Sequence, residues 1–205
     1  MILYGASGHG KVILDILENM GGEDIEVWDD RPGMDFCGYP LSLPHLDRMG
    51  DGQKVIISIG VNKIRKKVVD KLNNSTTFGN AIHPRAIVST RSRLDVGTVV
   101  MGGAVINPDV IIGKHCIINT CASIDHDCKL EDFVHVSPNA TLSGNVSVGE
   151  GTHIGSGAAI IQGIKIGKWC SVGAGAVVIR DIPDFATAVG NPSRIIKLKQ
   201  HFDEV

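Results

Sequence analysis

Residues 154–178 read IGSGAAIIQGIKIGKWCSVGAGAVV, with Ile154, Ile160, Ile166, Val172 and Val178 each six residues apart. The beat runs back without a slip through Val148, Leu142, Val136, Leu130, Ile124, Ile118, Ile112, Ile106, Val100, Leu94 and Val88 to Ile82. Four residues after each aliphatic the side chain is mostly small, as at Ala86, Ala104, Cys116, Ala122, Cys128, Ala140, Ala158, Cys170 and Ala176. A strand repeats every second residue and a helix every 3.6, so neither explains the period. Three short strands forming one triangular coil do explain it. About 18 residues make a turn, and successive turns stack at about 4.8 Å. The aliphatic residue then points inward, and the small one fills the cramped interior near a corner. The segment is a parallel β-helix.

The rest of the composition agrees with a coil of tight corners. The chain has 205 residues, 25 of them glycine, and only 4% are aromatic. Twenty-two acidic and 20 basic side chains give a net charge of −2, which argues against a nucleic-acid partner. No apolar run approaches a membrane span, and Met1 leads directly into a strand. The expectation is a soluble cytoplasmic protein with no membrane insertion. The five cysteines form no C-x-x-C pair, and Cys116, Cys128 and Cys170 occupy the small inward slot, where packing suffices.

Residues 1–80 read as a separate domain, ahead of a β-helix domain with a short tail over 81–205. Met1–Tyr4 is an apolar strand, and Gly5-Ala6-Ser7-Gly8-His9-Gly10 is a glycine-rich loop. Lys11–Met20 has helical spacing, Ile25–Trp28 is a second strand ending at Asp29-Asp30, and Val55–Ile59 is a third. A basic-faced helix follows over Asn62–Leu72. Strands alternating with helices indicate a small parallel, Rossmann-like α/β sheet. The loop lets backbone N–H groups and a helix N-terminus approach a phosphate, and acids ending the second strand commonly meet ribose hydroxyls or a base edge. A full dinucleotide domain needs two such halves, so nicotinamide redox chemistry is not expected.

The glycine loop, Asp29-Asp30, Ile59-Gly60-Val61-Asn62-Lys63-Ile64-Arg65 and Ile124-Asp125-His126-Asp127 within the hexads together resemble one family. It is the bacterial sugar O-/N-acyltransferase family of the hexapeptide-repeat superfamily, in particular the enzymes that N-acetylate a UDP-linked 4-amino-4,6-dideoxy sugar in bacillosamine synthesis. The resemblance implies a left-handed β-helix, a homotrimer with sites between subunits, and acetyl-CoA as co-substrate without a metal. It also implies a histidine base and direct attack of the amine on the thioester. Relatives that acetylate nucleotide-linked perosamine, or O-acetylate sialic acid, remain alternatives. Asp29-Asp30 followed by Gly33-Met34 favours the amine acceptor. Outside the class stand a γ-carbonic-anhydrase-like hydratase and a non-catalytic solenoid. The hydratase uses two histidines five residues apart, a spacing this chain lacks.

N-acetyl transfer needs a general base and donors for an oxyanion. His126 holds the third slot of its hexad, and eighteen residues on is Gly144, so the coil stacks a side-chain-free backbone beside the imidazole. By the resemblance, His126 is the base, Asp127 orients it, and Gly144 offers its N–H. The family often has Glu where this chain has the shorter Asp127. Substrate contacts are implied at Ser7, Gly8, His9, Asp29, Asp30, Gly60, Asn62, Arg65 and Asn119. Acetyl-CoA contacts are implied at His135, Ser156 and Ala174, with Arg194 and Lys197 able to face coenzyme phosphates. His153 stacks eighteen residues beyond His135 but matches no functional position of the family.

Overall fold

The computed structural model describes residues 1–22, 24–31, 33, 35–45, 52–72 and 76–199. In the first part, β1 (Ile2–Tyr4), α1 (Gly8–Asn19), β2 (Glu26–Trp28), β3 (Asp35–Phe36), β4 (Tyr39–Ser42), β5 (Lys54–Ile57), α2 (Asn62–Lys71) and β6 (Thr77–Phe78) follow in order. They build a sheet ordered β3-β4-β2-β1-β5-β6, parallel except for the β3–β4 hairpin. The helix expected from Lys11 starts at Gly8, inside the glycine loop, so its first turn belongs to the loop. Two glycines permit this. Gly5 has φ +121°, and a Cβ on Gly10 would lie 2.4 Å from the Gly5 carbonyl oxygen. The hairpin and β6 are not legible in the sequence, since such short strands carry no periodicity unless they repeat.

From Ala81 onward the hexads form two-residue strands in three parallel ladders. The first runs Ala81–Ile82, Val99–Val100, Ile117–Ile118, His135–Val136, His153–Ile154 and Ser171–Val172. The second runs from Ile87–Val88 to Val177–Val178 and the third from Arg93–Leu94 to Lys165–Ile166. Every pairing shifts by eighteen residues, as in Ile117↔His135 and Ser123↔Thr141. The second residue of each strand and the small slot make one continuous core from Val100 to Val178, with Ala104, Cys116, Cys128, Ala140 and Ala176 fully enclosed. Two threonines share the small slot and are satisfied there. Thr152 Oγ1 donates to the Gly167 carbonyl and accepts from the Cys170 amide, and Thr98 does the same with Gly113 and Cys116.

Outward residues of the first ladder decide where the α/β domain sits. Ala81, Val99 and Ile117 are apolar and buried against Ile13 and Leu17 of α1. One rung further the outward residues become His135, His153 and Ser171. The apolar half is therefore roofed by α1, and the polar half stays open. Among the described residues no helix is long and apolar enough to cross a membrane.

Leu142 is fully buried at the solenoid centre. Leu142→Ala is expected to destabilise by about 2–5 kcal/mol, read as a lower urea midpoint. A midpoint within error of wild type would contradict the packed-core assignment.

Candidate active site

The open half of the first ladder and the edge of the α/β sheet enclose a cleft of about 900 Å³. Ser7, His9, Asp29, Asp30, Gly60, Asn62 and His135 line it, as do Tyr4, Arg31, His153, Trp169 and Ser171. Seven of the residues expected to touch substrate or coenzyme thus share one space.

The two acids behave differently. Asp29 is buried and ties the glycine loop: its Oδ2 accepts the Ala6 amide at 2.8 Å, and Oδ1 accepts the Arg31 amide and Nε. Burial pushes its carboxyl upward, but the hydrogen bonds from Arg31 and Ala6 outweigh this and hold it below the usual carboxylate range. Asp30 is exposed and accepts from the Tyr4 hydroxyl at 2.6 Å. Asp29 therefore shapes the loop, and Asp30 is the acid left at the cleft surface. Met34 lies outside the described residues.

Three histidines rise through the cleft. His9 and His135 ring centres are 6.2 Å apart, and His135 stacks on His153 at 4.8 Å. Burial, with Arg65 adding to it, lowers His9 to about 4; burial, then His153 and Arg65, lowers His135 to about 3. His135 is thus neutral, and its hydrogen bonds fix the tautomer. Nδ1 lies 3.3 Å from the Gly60 carbonyl oxygen and must donate, so Nε2 accepts from Asn119 Nδ2 at 3.1 Å. The Thr120 amide bonds Asn119 Oδ1, which turns the amide nitrogen toward the ring. His153 Nε2 meets Ser137 Oγ at 2.7 Å, and burial and Arg65 lower its pKa. His153 thus lines the cleft, although it matches no functional position of the family.

His126 stands elsewhere, on the corner that joins the second and third ladders, opposite the face that bears the cleft. Its side chain is 60% exposed. Asp127 takes the left-handed conformation at φ +63°, which folds its carboxylate back onto the ring, and Oδ2 lies 2.7 Å from His126 Nδ1. The shorter acid therefore reaches. That hydrogen bond, and then the charge of Asp125, raise the His126 pKa. Asp125 is itself fixed by the His126 amide and Asn107. A Cβ on Gly144 would lie 2.6 Å from His126 Cε1 and 2.7 Å from Nε2, so glycine is what lets the ring lie over that backbone.

The other expected residues are dispersed. Ser156 and Ala174 sit on stacked turns after the first ladder, the corner that also bears Asn119, and Gly175 N donates to the Ser156 carbonyl. Arg194 opens the exposed hairpin strand Arg194–Leu198, which also carries Lys197. Gly8 begins α1 behind the loop. Arg65, expected to bind substrate, is turned inward and only 1% exposed. Trp169 was missed, yet the Gly144 rule could have found it, because it stands eighteen residues after Gly151 and covers that glycine.

A hexapeptide solenoid joined to a glycine-loop α/β domain through a shared cleft defines a two-domain transferase architecture. Residues 1–72 match the PglD N-terminal domain, and 145–180 match the bacterial transferase hexapeptide of six repeats. The acetyltransferase domain of PglB from Neisseria gonorrhoeae, solved with acetyl coenzyme A, superposes with TM-score 0.92 at 36% identity, over 95% of this chain and 98% of that one. PerB from Caulobacter crescentus, solved with CoA and GDP-perosamine, gives 0.90 at 39% identity, covering 96% of each chain. UDP-N-acetylbacillosamine N-acetyltransferase of Bacillus subtilis is 44% identical over 107 residues, 48% of this chain and 50% of that enzyme. The chain belongs to the acetyltransferase family of the bacillosamine and perosamine N-acetyltransferase type.

The buried histidines generate a pH prediction. His9, His115 and His135 have native values of about 4, 4 and 3, all below the ordinary 6.5. The unfolded chain then binds more protons below pH 6.5, so stability falls as pH drops from there toward the native values. The urea midpoint should be lower at about pH 5 than at pH 7.5, within that linkage window. Equal midpoints would show these rings to be solvated.

Proposed function

We propose that the protein moves acetyl from acetyl-CoA to the 4-amino group of a nucleotide-linked 4-amino-4,6-dideoxy sugar. The observation that carries this reading is the His126–Asp127 pair laid over Gly144. With Nδ1–H donated to Asp127, Nε2 is free to take the amine proton as nitrogen attacks the thioester carbonyl. The Gly144 amide is the donor beside the ring for the oxyanion. Collapse of the tetrahedral intermediate breaks the C–S bond, and the imidazolium returns the proton to the leaving thiolate. Asp127 holds the tautomer and stabilises the transient imidazolium.

In this reading the cleft receives the sugar nucleotide, with the α1 N-terminus and glycine loop facing its diphosphate. Acetyl-CoA lies along the solenoid by Ser156, Ala174 and Arg194. Because His126 and the cleft lie on different sides of one solenoid, a homotrimer with the site between copies joins the base of one to the cleft of another. A UDP-linked sugar is the first choice, supported by the B. subtilis relative. A GDP-linked perosamine is the second, supported by the 39% identity to PerB over nearly the whole chain.

A panel of UDP- and GDP-linked amino sugars with acetyl-CoA, followed by thiol release, tests the reading. His126→Ala should lower kcat about 10²- to 10⁴-fold with acetyl-CoA affinity retained. Because Asp127 and Asp125 raise the His126 pKa, the acid limb of the rate profile should lie above the ordinary histidine value of 6.5. A variant with most of its activity, or an acid limb well below that value, would remove His126 as the base.

A further inference from the structure

Arg65 of α2 is enclosed between the two domains, and among the described residues every acceptor it meets is uncharged. Nε donates to the His115 carbonyl at 2.9 Å and Nη2 to the Phe133 carbonyl at 2.9 Å, two successive corners of the solenoid. Nη1 donates to the Ile59 carbonyl at 2.9 Å and to Gly60 at 3.4 Å, and Nη2 also to Asn62 Oδ1 at 2.8 Å. One planar fork thus joins the carbonyl edge of the α/β domain to that of the solenoid. Lysine, with a single point of attachment, cannot span both edges.

We propose that Arg65 is a positioning residue. By tying Ile59 and Gly60 to the corners at His115 and Phe133, it sets the nucleotide-domain wall of the cleft against the solenoid histidines. It thereby governs sugar-nucleotide affinity without touching the ligand. The inference rests on reading the cleft as the sugar-nucleotide site. Its key atom is the Gly60 carbonyl oxygen, which accepts from Arg65 Nη1 and from His135 Nδ1, whose Nε2 in turn holds Asn119. A displaced Gly60 would release that whole series.

A second consequence follows from charge. Desolvation lowers the Arg65 pKa to about 10, which leaves it cationic at neutral pH. The titratable groups that sense it are His9 on α1, His115 and Cys116 at the corner beneath α2, and His135 and His153 on the first ladder. A buried cation without a carboxylate partner costs desolvation that an apolar contact would avoid. Domain docking alone does not require it; donating to five oxygens on both edges does.

The test compares Arg65→Lys and Arg65→Met in the full-length protein. Calorimetric titration with UDP, GDP and acetyl-CoA, steady-state kinetics, and proton NMR titration of the histidine rings are measured on each. Arg65→Lys should keep the histidines uncharged yet raise the KM for sugar nucleotide about tenfold or more. Its kcat and its KM for acetyl-CoA should stay within about twofold, a change well below one hydrogen bond's worth. Arg65→Met should lose nucleotide affinity as strongly, while His135 and His153, lowered chiefly by burial, should move up only slightly. Wild-type nucleotide affinity in Arg65→Lys would overturn the proposal. So would equal losses for both substrates, the mark of a merely structural role. If Arg65→Met does not fold, the wild-type Arg65 Nε–H signal decides instead. It should exchange slowly and stay unshifted at saturating nucleotide, whereas a large shift would make Arg65 a ligand contact. A wild-type protein that binds neither nucleotide would fail one step earlier, at the functional reading, and take this proposal with it.

Discussion

Registration at eighteen residues is the constraint on which everything else depends. Parallel pairing such as Ile117↔His135 and His135↔His153 places each side chain on top of the residue one coil earlier. Properties of the molecule are therefore columns. The inward columns are aliphatic or small and make the core. The outward column of the first ladder changes from Val99 and Ile117 to His135, His153 and Ser171, and this one change separates a docking surface from a binding surface. A slip of one residue would turn the histidines into the core and the aliphatic ladder into water.

The same registration produces two kinds of histidine. Those in the cleft lose hydration and sit near the Arg65 guanidinium, so their pKa values are lowered. His126 lies on an outer corner, where solvent supports its charge and Asp127 favours it. Acid–base work at neutral pH needs the second environment and not the first. Environment, rather than residue type, separates the two kinds.

Legibility followed the same division. The period of six identified the solenoid because a stacked core repeats its demand at every coil, and the demand is local in sequence. The glycine loop and the His126–Gly144 relation could be read because each is a fixed offset along the chain. The β3–β4 hairpin and β6 had no such signature, since strands of two to four residues are set by their neighbours in the sheet. The enclosure of Arg65 is not legible in the sequence for a related reason. On α2 its spacing is that of a basic surface residue, and only the docking of α2 against the corners at His115 and Phe133 encloses it. The place of His153 in the cleft was hidden likewise, because the cleft has a second wall contributed by a domain more than ninety residues earlier, around Gly60.

That second wall explains why the cleft needs so few side chains of its own from the solenoid. Two-residue rungs offer one outward residue per coil on each face, too sparse to surround a ligand. The α/β domain supplies what the rungs lack: a glycine loop held by Asp29, a strand end at Ile59–Gly60, and the Tyr4–Asp30 pair. The depth of the cleft then depends on how far along the ladder α1 can slide before meeting a polar rung, and Ile117 is the last apolar one. Moving the apolar-to-polar change by one coil would lift or lower the whole α/β domain by one strand spacing, about 4.8 Å. Gly60 would then face a different rung, and the contacts to His135 and to the carbonyls beneath Arg65 would be lost together. The position of a single residue type in one outward column therefore fixes the geometry of the cleft.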